Sequence, residues 1–105
     1  MNELEVKIAE RLVGLGVPVR GFSVFYDEPS SSDAVWVLFG LPETETGTWL
    51  ADLTDRYSAA VNDALRGLVG FVAFEFRTIS EASRALREEH ERWRSLPVSN
   101  AFTNE

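Results

Sequence analysis

Cysteine is absent from this 105-residue chain. That absence excludes disulfide staples, thiolate nucleophiles, zinc ribbons and iron–sulfur clusters together. Histidine occurs once, as His90, so a transition-metal site would have to be built from carboxylates alone, a donor set such metals do not favour. No cofactor and no metal are expected. Long apolar runs are also missing. The longest, residues 34–39 and 68–74, fall far short of the roughly 20 residues that a membrane span needs. Met1 leads straight into an acidic amphipathic segment, without a basic n-region or an apolar h-region, so no secretion signal is expected. A cysteine-free domain of this size fits a reducing compartment, and the expected location is cytoplasmic.

Positive charge is scarce. Ten bases stand against seventeen acids, for a net charge of −7, and Lys7 is the only lysine. Non-specific binding to nucleic acid requires basic clusters that displace counterions, so direct nucleic-acid binding is not expected. The acidic balance fits solubility or a basic partner.

What is present is an ordinary globular share of apolar residues, 45%, arranged in clear periods. Leu4, Ile8, Leu12 and Leu15 make one stripe of a helix over residues 3–15. Asn2 and Glu5 form a capping-box pair ahead of it, and Gly14, Gly16 and Pro18 end it. Residues 19–26 alternate as a strand. The serine, proline and acid cluster of residues 27–33 is a turn, and residues 34–40 form a second strand, apolar on both faces and therefore expected in the middle of a sheet. A helix follows, capped by a threonine among residues 44, 46 and 48, with Tyr57, Val61 and Leu65 in its stripe; Gly67 stops it. Residues 68–77 are the third strand. Thr78 and Glu81 form a second capping box, and the helix it opens is densely charged, with Arg84/Glu88, Arg87/Glu91 and Glu88/Arg92 spaced i,i+4. That helix is expected to reach residue 96, before Pro97.

The fold expected is α+β, in α-β-β-α-β-α order: a three-stranded sheet with two helices packed on one face and a third, C-terminal helix. Residues 1–96 make one domain and 97–105 a loose tail. As an order of elements only, this is similar to small KH-like and BolA-like domains. The glycine-bearing clamp loop of the KH type is missing, and the acidic charge opposes RNA binding, so no family is assigned.

This order leaves one sheet face short of cover. Phe25, Trp36, Leu38 and Phe71 would share the face away from the first two helices. Burying each such side chain is worth about 1.5–3 kcal/mol, and monomers rarely leave several together in water. Either the third helix or a second chain must cover them. Tryptophan is enriched at interfaces, which adds Trp93 and its helix neighbour Leu86. The expected function is thus a small acidic protein-interaction module, an adaptor, inhibitor or assembly subunit without catalytic activity. Its expected partner is a protein, with a homodimer favoured, and its contact residues are Phe25, Trp36, Leu38, Leu86 and Trp93.

The alternative is a small enzyme or ligand-binding domain with a pocket between sheet and helices, where Glu75, Arg77 and Tyr26 supply the polar groups. His90, flanked by glutamates, reads as a solvated helix residue. Asp27, Glu28 and Asp33 lack the spacing of a calcium loop. The Gly14–Gly16 and Gly67–Gly70 segments do not stand between a strand and a following helix, as a phosphate cradle requires.

Overall fold

The computed structural model describes residues 3–27, 32–42 and 51–96, with residues 26, 27, 32 and 51–53 described by backbone alone. The first helix, α1 (Glu3–Val13), buries Ile8 and Leu12, while Leu4, Ala9 and Leu15 pack at the margin of the same cluster. The stripe read from the spacing is the stripe that is buried. The helix closes two residues early, because the Leu15 N–H donates back to the Leu12 carbonyl at 3.2 Å and Gly16 takes a left-handed φ of 73°.

Strands β1 (Val19–Asp27) and β2 (Ser32–Leu41) form an antiparallel hairpin, with Ser23 opposite Trp36 and Phe25 opposite Ala34. Helix α2 (Ala51–Leu65) then crosses to β3 (Phe71–Thr78), which runs parallel to β2 with Trp36 beside Ala73 and Leu38 beside Glu75. β2 therefore lies between β1 and β3, as its two apolar faces require. Strand β3 begins three residues later than its apolar pattern predicts. α2 exits through Gly67, at a φ of 80°, and the N–H groups of Leu68 and Val69 bond the Leu65 carbonyl at 3.0 and 3.3 Å, holding both residues in the helix exit. Asn2, the threonines at 44, 46 and 48, and the tail at 97–105 lie outside the described residues.

Two expectations are corrected at the C-terminal end. Helix α3 (Ile79–Glu88) is shorter than predicted, and a fourth strand, β4 (Arg94–Ser95), joins the sheet beyond β1, giving the order β3-β2-β1-β4. The helix stops at Glu89, whose φ of −114° and ψ of 35° leave the helical region. The N–H groups of Arg92 and Trp93 both bond the Glu89 carbonyl, at 2.8 and 3.1 Å, and turn the chain back over the sheet. Ser95 and Arg94 then pair with Gly21 and Phe22, and the Leu96 N–H reaches the Arg20 carbonyl at 3.0 Å.

The result is three layers. α1 and α2 cover one face, over a core of Ile8, Leu12, Val19, Phe22, Val35, Val37, Phe39, Val61 and Leu65. Within it Phe39 stacks on Tyr57 and Phe76, at centroid distances of 5.8 and 4.8 Å. α3 covers part of the other face over a second cluster of Leu38, Ala82, Ala85 and Trp93. Two glycines admit it. A Cβ on Gly21 would stand 2.9 Å from the Arg94 carbonyl oxygen and 3.0 Å from Leu86 Cδ2; one on Gly40 would stand 2.9 Å from Arg20 Cγ and 3.4 Å from Ala82 Cβ. The capping box is formed as predicted: the Glu81 N–H donates to Thr78 Oγ1 at 3.0 Å, and the Thr78 N–H donates to Glu81 Oε1 at 3.1 Å.

Candidate functional site

Residues paired across strands share a sheet face, so the register orders the face beneath α3 into rows. From one end to the other these are Phe25–Ala34–Phe71, Ser23–Trp36–Ala73, Gly21–Leu38–Glu75 and Gly40–Arg77. α3 and the turn after it lie over the last two rows. There Leu38 is 0% exposed and Trp93 2% exposed, so both contact the chain's own interior. Leu86 packs at the margin of their cluster. The shortage of cover predicted from the sequence is thus met by the chain itself over half of the face.

The first two rows keep an open end. Phe71 is 54% exposed, and Phe25 and Trp36 are half-buried, their rings 6.1 Å apart and tilted by 49°. Of the five contact residues predicted, the structure brings Phe25 and Trp36 together at this open end, with Phe71 in the same row as Phe25. It places Leu38 and Trp93 in the core, and Leu86 at its edge.

Beside the open end sits a ring of charge. Arg77 pairs with Glu75 and, at 3.6 Å, with Glu89; Arg92 pairs with Glu89 at 3.3 Å and with Glu75 at 3.7 Å. Each carboxylate meets two guanidinium groups, and each guanidinium two carboxylates, so the ring closes on itself with no net charge. The Trp93 indole N–H donates to Glu89 Oε1 at 3.2 Å. The Arg92 guanidinium lies 5.5 Å from the Trp36 ring centre and 4.8 Å from that of Trp93. A cation over an aromatic face contributes about 0.5–2 kcal/mol, depending on its desolvation. The arrangement fastens the turn after α3 to β3. A second clasp works from the other face, where Glu5 of α1, only 8% exposed, accepts a bond from Arg94 Nε at 2.8 Å. Arg20, buried beside Gly40, donates to Ser83 Oγ at 3.0 Å.

Alternation along β3 put Glu75 and Arg77 on one face in the sequence, and the structure does pair them. Glu89 and Arg92 complete the ring and were missed, because a continuous helix would have carried them away from β3; only the turn at Glu89 brings them back. The backbone of Tyr26 stands elsewhere along the sheet. It pairs with Asp33, five positions along β2 from Leu38, the partner of Glu75, a separation of about 17 Å along the strand.

His90 is exposed in the turn after α3. Glu28 and the side chain of Asp27 lie outside the described residues, as does Trp49. Among the described residues, no three histidine or acidic side chains converge as a ligand set for a metal ion, and no helix is long and apolar enough to cross a membrane. Comparison with protein-family models, with curated proteins and with solved structures finds no match, so the function rests on the chain's own residues.

Proposed function

We propose that this chain is a small acidic protein-interaction module that performs no chemistry of its own. Its contact surface is the open end of the α3 side of the sheet, formed by Phe25, Trp36 and Phe71. The observation that carries this reading is the pairing of a half-buried Phe25–Trp36 couple with a Phe71 left 54% exposed, on one face of a sheet whose other end is closed. Aromatic side chains fixed at low entropy cost are the usual anchors of protein interfaces. The ring of Glu75, Arg77, Glu89 and Arg92 rims this surface and holds its floor rigid, with the Arg92 guanidinium against Trp36.

The pocket alternative draws less support. Glu75 and Arg77 are occupied by each other and by Arg92 and Glu89, and Tyr26 stands at the far end of the sheet. A general acid or base needs a group turned towards a substrate, and here both carboxylates are turned towards guanidinium groups.

The test is photo-crosslinking in cells. A benzoylphenylalanine is placed at Phe71 and, as the control, at Arg56 on the exposed side of α2. The reading expects a discrete protein adduct from position 71 and none from position 56. Equal adducts from both positions, or none from position 71, would reject it.

A further inference from the structure

The two edges of the sheet are built differently. At one end stands β4, only two residues long. Short length and charge are how natural sheets blunt an edge. At the other end stands β3, eight residues long, with the sequence FVAFEFRT. Among the described residues no strand pairs with its outer side. It holds no proline, no lysine and no bulge. Its two charged residues, Glu75 and Arg77, are drawn over the sheet into the ring with Glu89 and Arg92, so they do not guard the edge. Alternate N–H and C=O groups of a strand paired on one side only point outward and form a template for another strand.

The sequence of β3 also selects its occupant. Paired antiparallel with itself about Phe74, the strand sets Val72 against Phe76 and Phe74 against Phe74 on one face. On the other face Phe71 meets Arg77, and Ala73 meets Glu75. Every apolar residue of the first face then meets an apolar residue, and no like charges are opposed. Seven residues pair, 71–77. Shifted by one position, Glu75 would face Glu75; shifted by two, pairing would shrink to residues 74–78 before α3 begins at Ile79. The half-exposed Phe71 would gain cover that the chain itself does not give it.

From this self-complementarity we infer that two copies of the chain join edge to edge through β3, antiparallel about a twofold axis at Phe74, as one continuous eight-stranded sheet. The inference goes beyond the proposed function: it concerns the edge of the sheet, shares only Phe71 with the open face, and names a second copy as the occupant. A seven-residue edge alone buries less than the roughly 1,200 Å² of a tight interface, so the dimer is reversible, with a Kd on the order of micromolar.

The experiment is sedimentation velocity of the pure full-length chain from low to high micromolar concentration, with hydrogen exchange at the same concentrations. The mass is expected to rise from 11.8 kDa to twice that value, with every second amide of β3 gaining protection as it does. Phe71→Lys would set a lysine against Arg77 of the second copy at a site already open to water. It is expected to weaken the dimer at least tenfold while leaving the monomer folded by circular dichroism. A chain that stays monomeric throughout overturns the inference. So does a dimer indifferent to Phe71→Lys, or outward β3 amides equally protected at every concentration, which would place a segment of the same chain on that edge. A monomer that still gives a position-71 adduct with another protein would remove the dimer and leave the proposed function standing.

Discussion

Replacing Trp93 by alanine separates the two roles that the sequence allows this residue, interface anchor and core. Trp93 is 2% exposed, packed with Leu38, Ala82 and Ala85 between the end of α3 and the sheet. Truncating a buried aromatic to alanine costs about 3–5 kcal/mol through lost transfer free energy and the cavity left behind. The indole N–H bond to Glu89 and the Arg92 guanidinium over the ring add to this. Each is worth on the order of 1 kcal/mol and is not independent of the packing. The expected loss for Trp93→Ala is therefore about 4 kcal/mol, a large share of the 5–15 kcal/mol by which such domains are stable. That loss corresponds to a fall in Tm of about 15 °C or more. Trp93→Phe keeps most of the ring volume and gives up the N–H bond, so about 1–2 kcal/mol is expected. Urea unfolding followed by circular dichroism measures both. A Trp93→Ala variant within about 0.5 kcal/mol of the parent, the behaviour of a surface residue, would refute the burial of Trp93 under α3 and the covered half-face with it.

Four further outcomes follow. Thr78→Ala should cost about 1 kcal/mol in urea unfolding, because it removes one half of the capping box. Bonds from the Thr78 backbone and hydroxyl hold the Glu81 carboxyl below its ordinary value of 4.5. A carboxylate with a depressed folded pKa stabilises fully above the ordinary value and loses that contribution as pH falls through the folded one. The difference between the parent and Glu81→Gln in urea midpoint should accordingly shrink as the pH is lowered progressively below 4.5. Gly21→Ala, whose Cβ meets the Arg94 carbonyl oxygen and Leu86, should cost about 1–3 kcal/mol and speed amide exchange at Leu96, whereas Gly67→Ala should show only the strain of its left-handed backbone, about 1–2 kcal/mol, with no change at Leu96. Phe71→Ser should leave the stability of the monomer within about 0.5 kcal/mol of the parent, since the side chain is half in water already.

The three-layered arrangement shows which parts of a fold are local. The stripes of α1 and α2, the alternation of β1 and β2, and the Thr78/Glu81 box are short-range patterns, and each was legible in the sequence. The end of α3 was not. No glycine or proline marks Glu89, and the i,i+4 charges through Arg92 support a helix that would run on. What stops it is tertiary: Trp93 folds onto Leu38 instead of continuing outward, and turning back brings Glu89 to Arg77 and Arg92 to Glu75. β4 has only two residues and therefore no period to read. The site divides along the same line. Phe25, Trp36 and Phe71 could be assigned to one face by alternation, and so could Glu75 and Arg77. Whether that face stays open depends on where a helix ends, and the distinction between Trp36 at its margin and Trp93 beneath the cover lies in long-range contacts alone.

Single-tryptophan variants address that distinction most directly. Trp49→Phe is combined with Trp93→Phe to leave Trp36, or with Trp36→Phe to leave Trp93, and each is titrated with acrylamide at low protein concentration. Trp36, at the open aromatic end, should be quenched several-fold more readily than Trp93, which should be almost untouched until urea unfolds the chain. Equal quenching of the two, or free access to Trp93 in the folded protein, would contradict a sheet face closed at one end and open at the other.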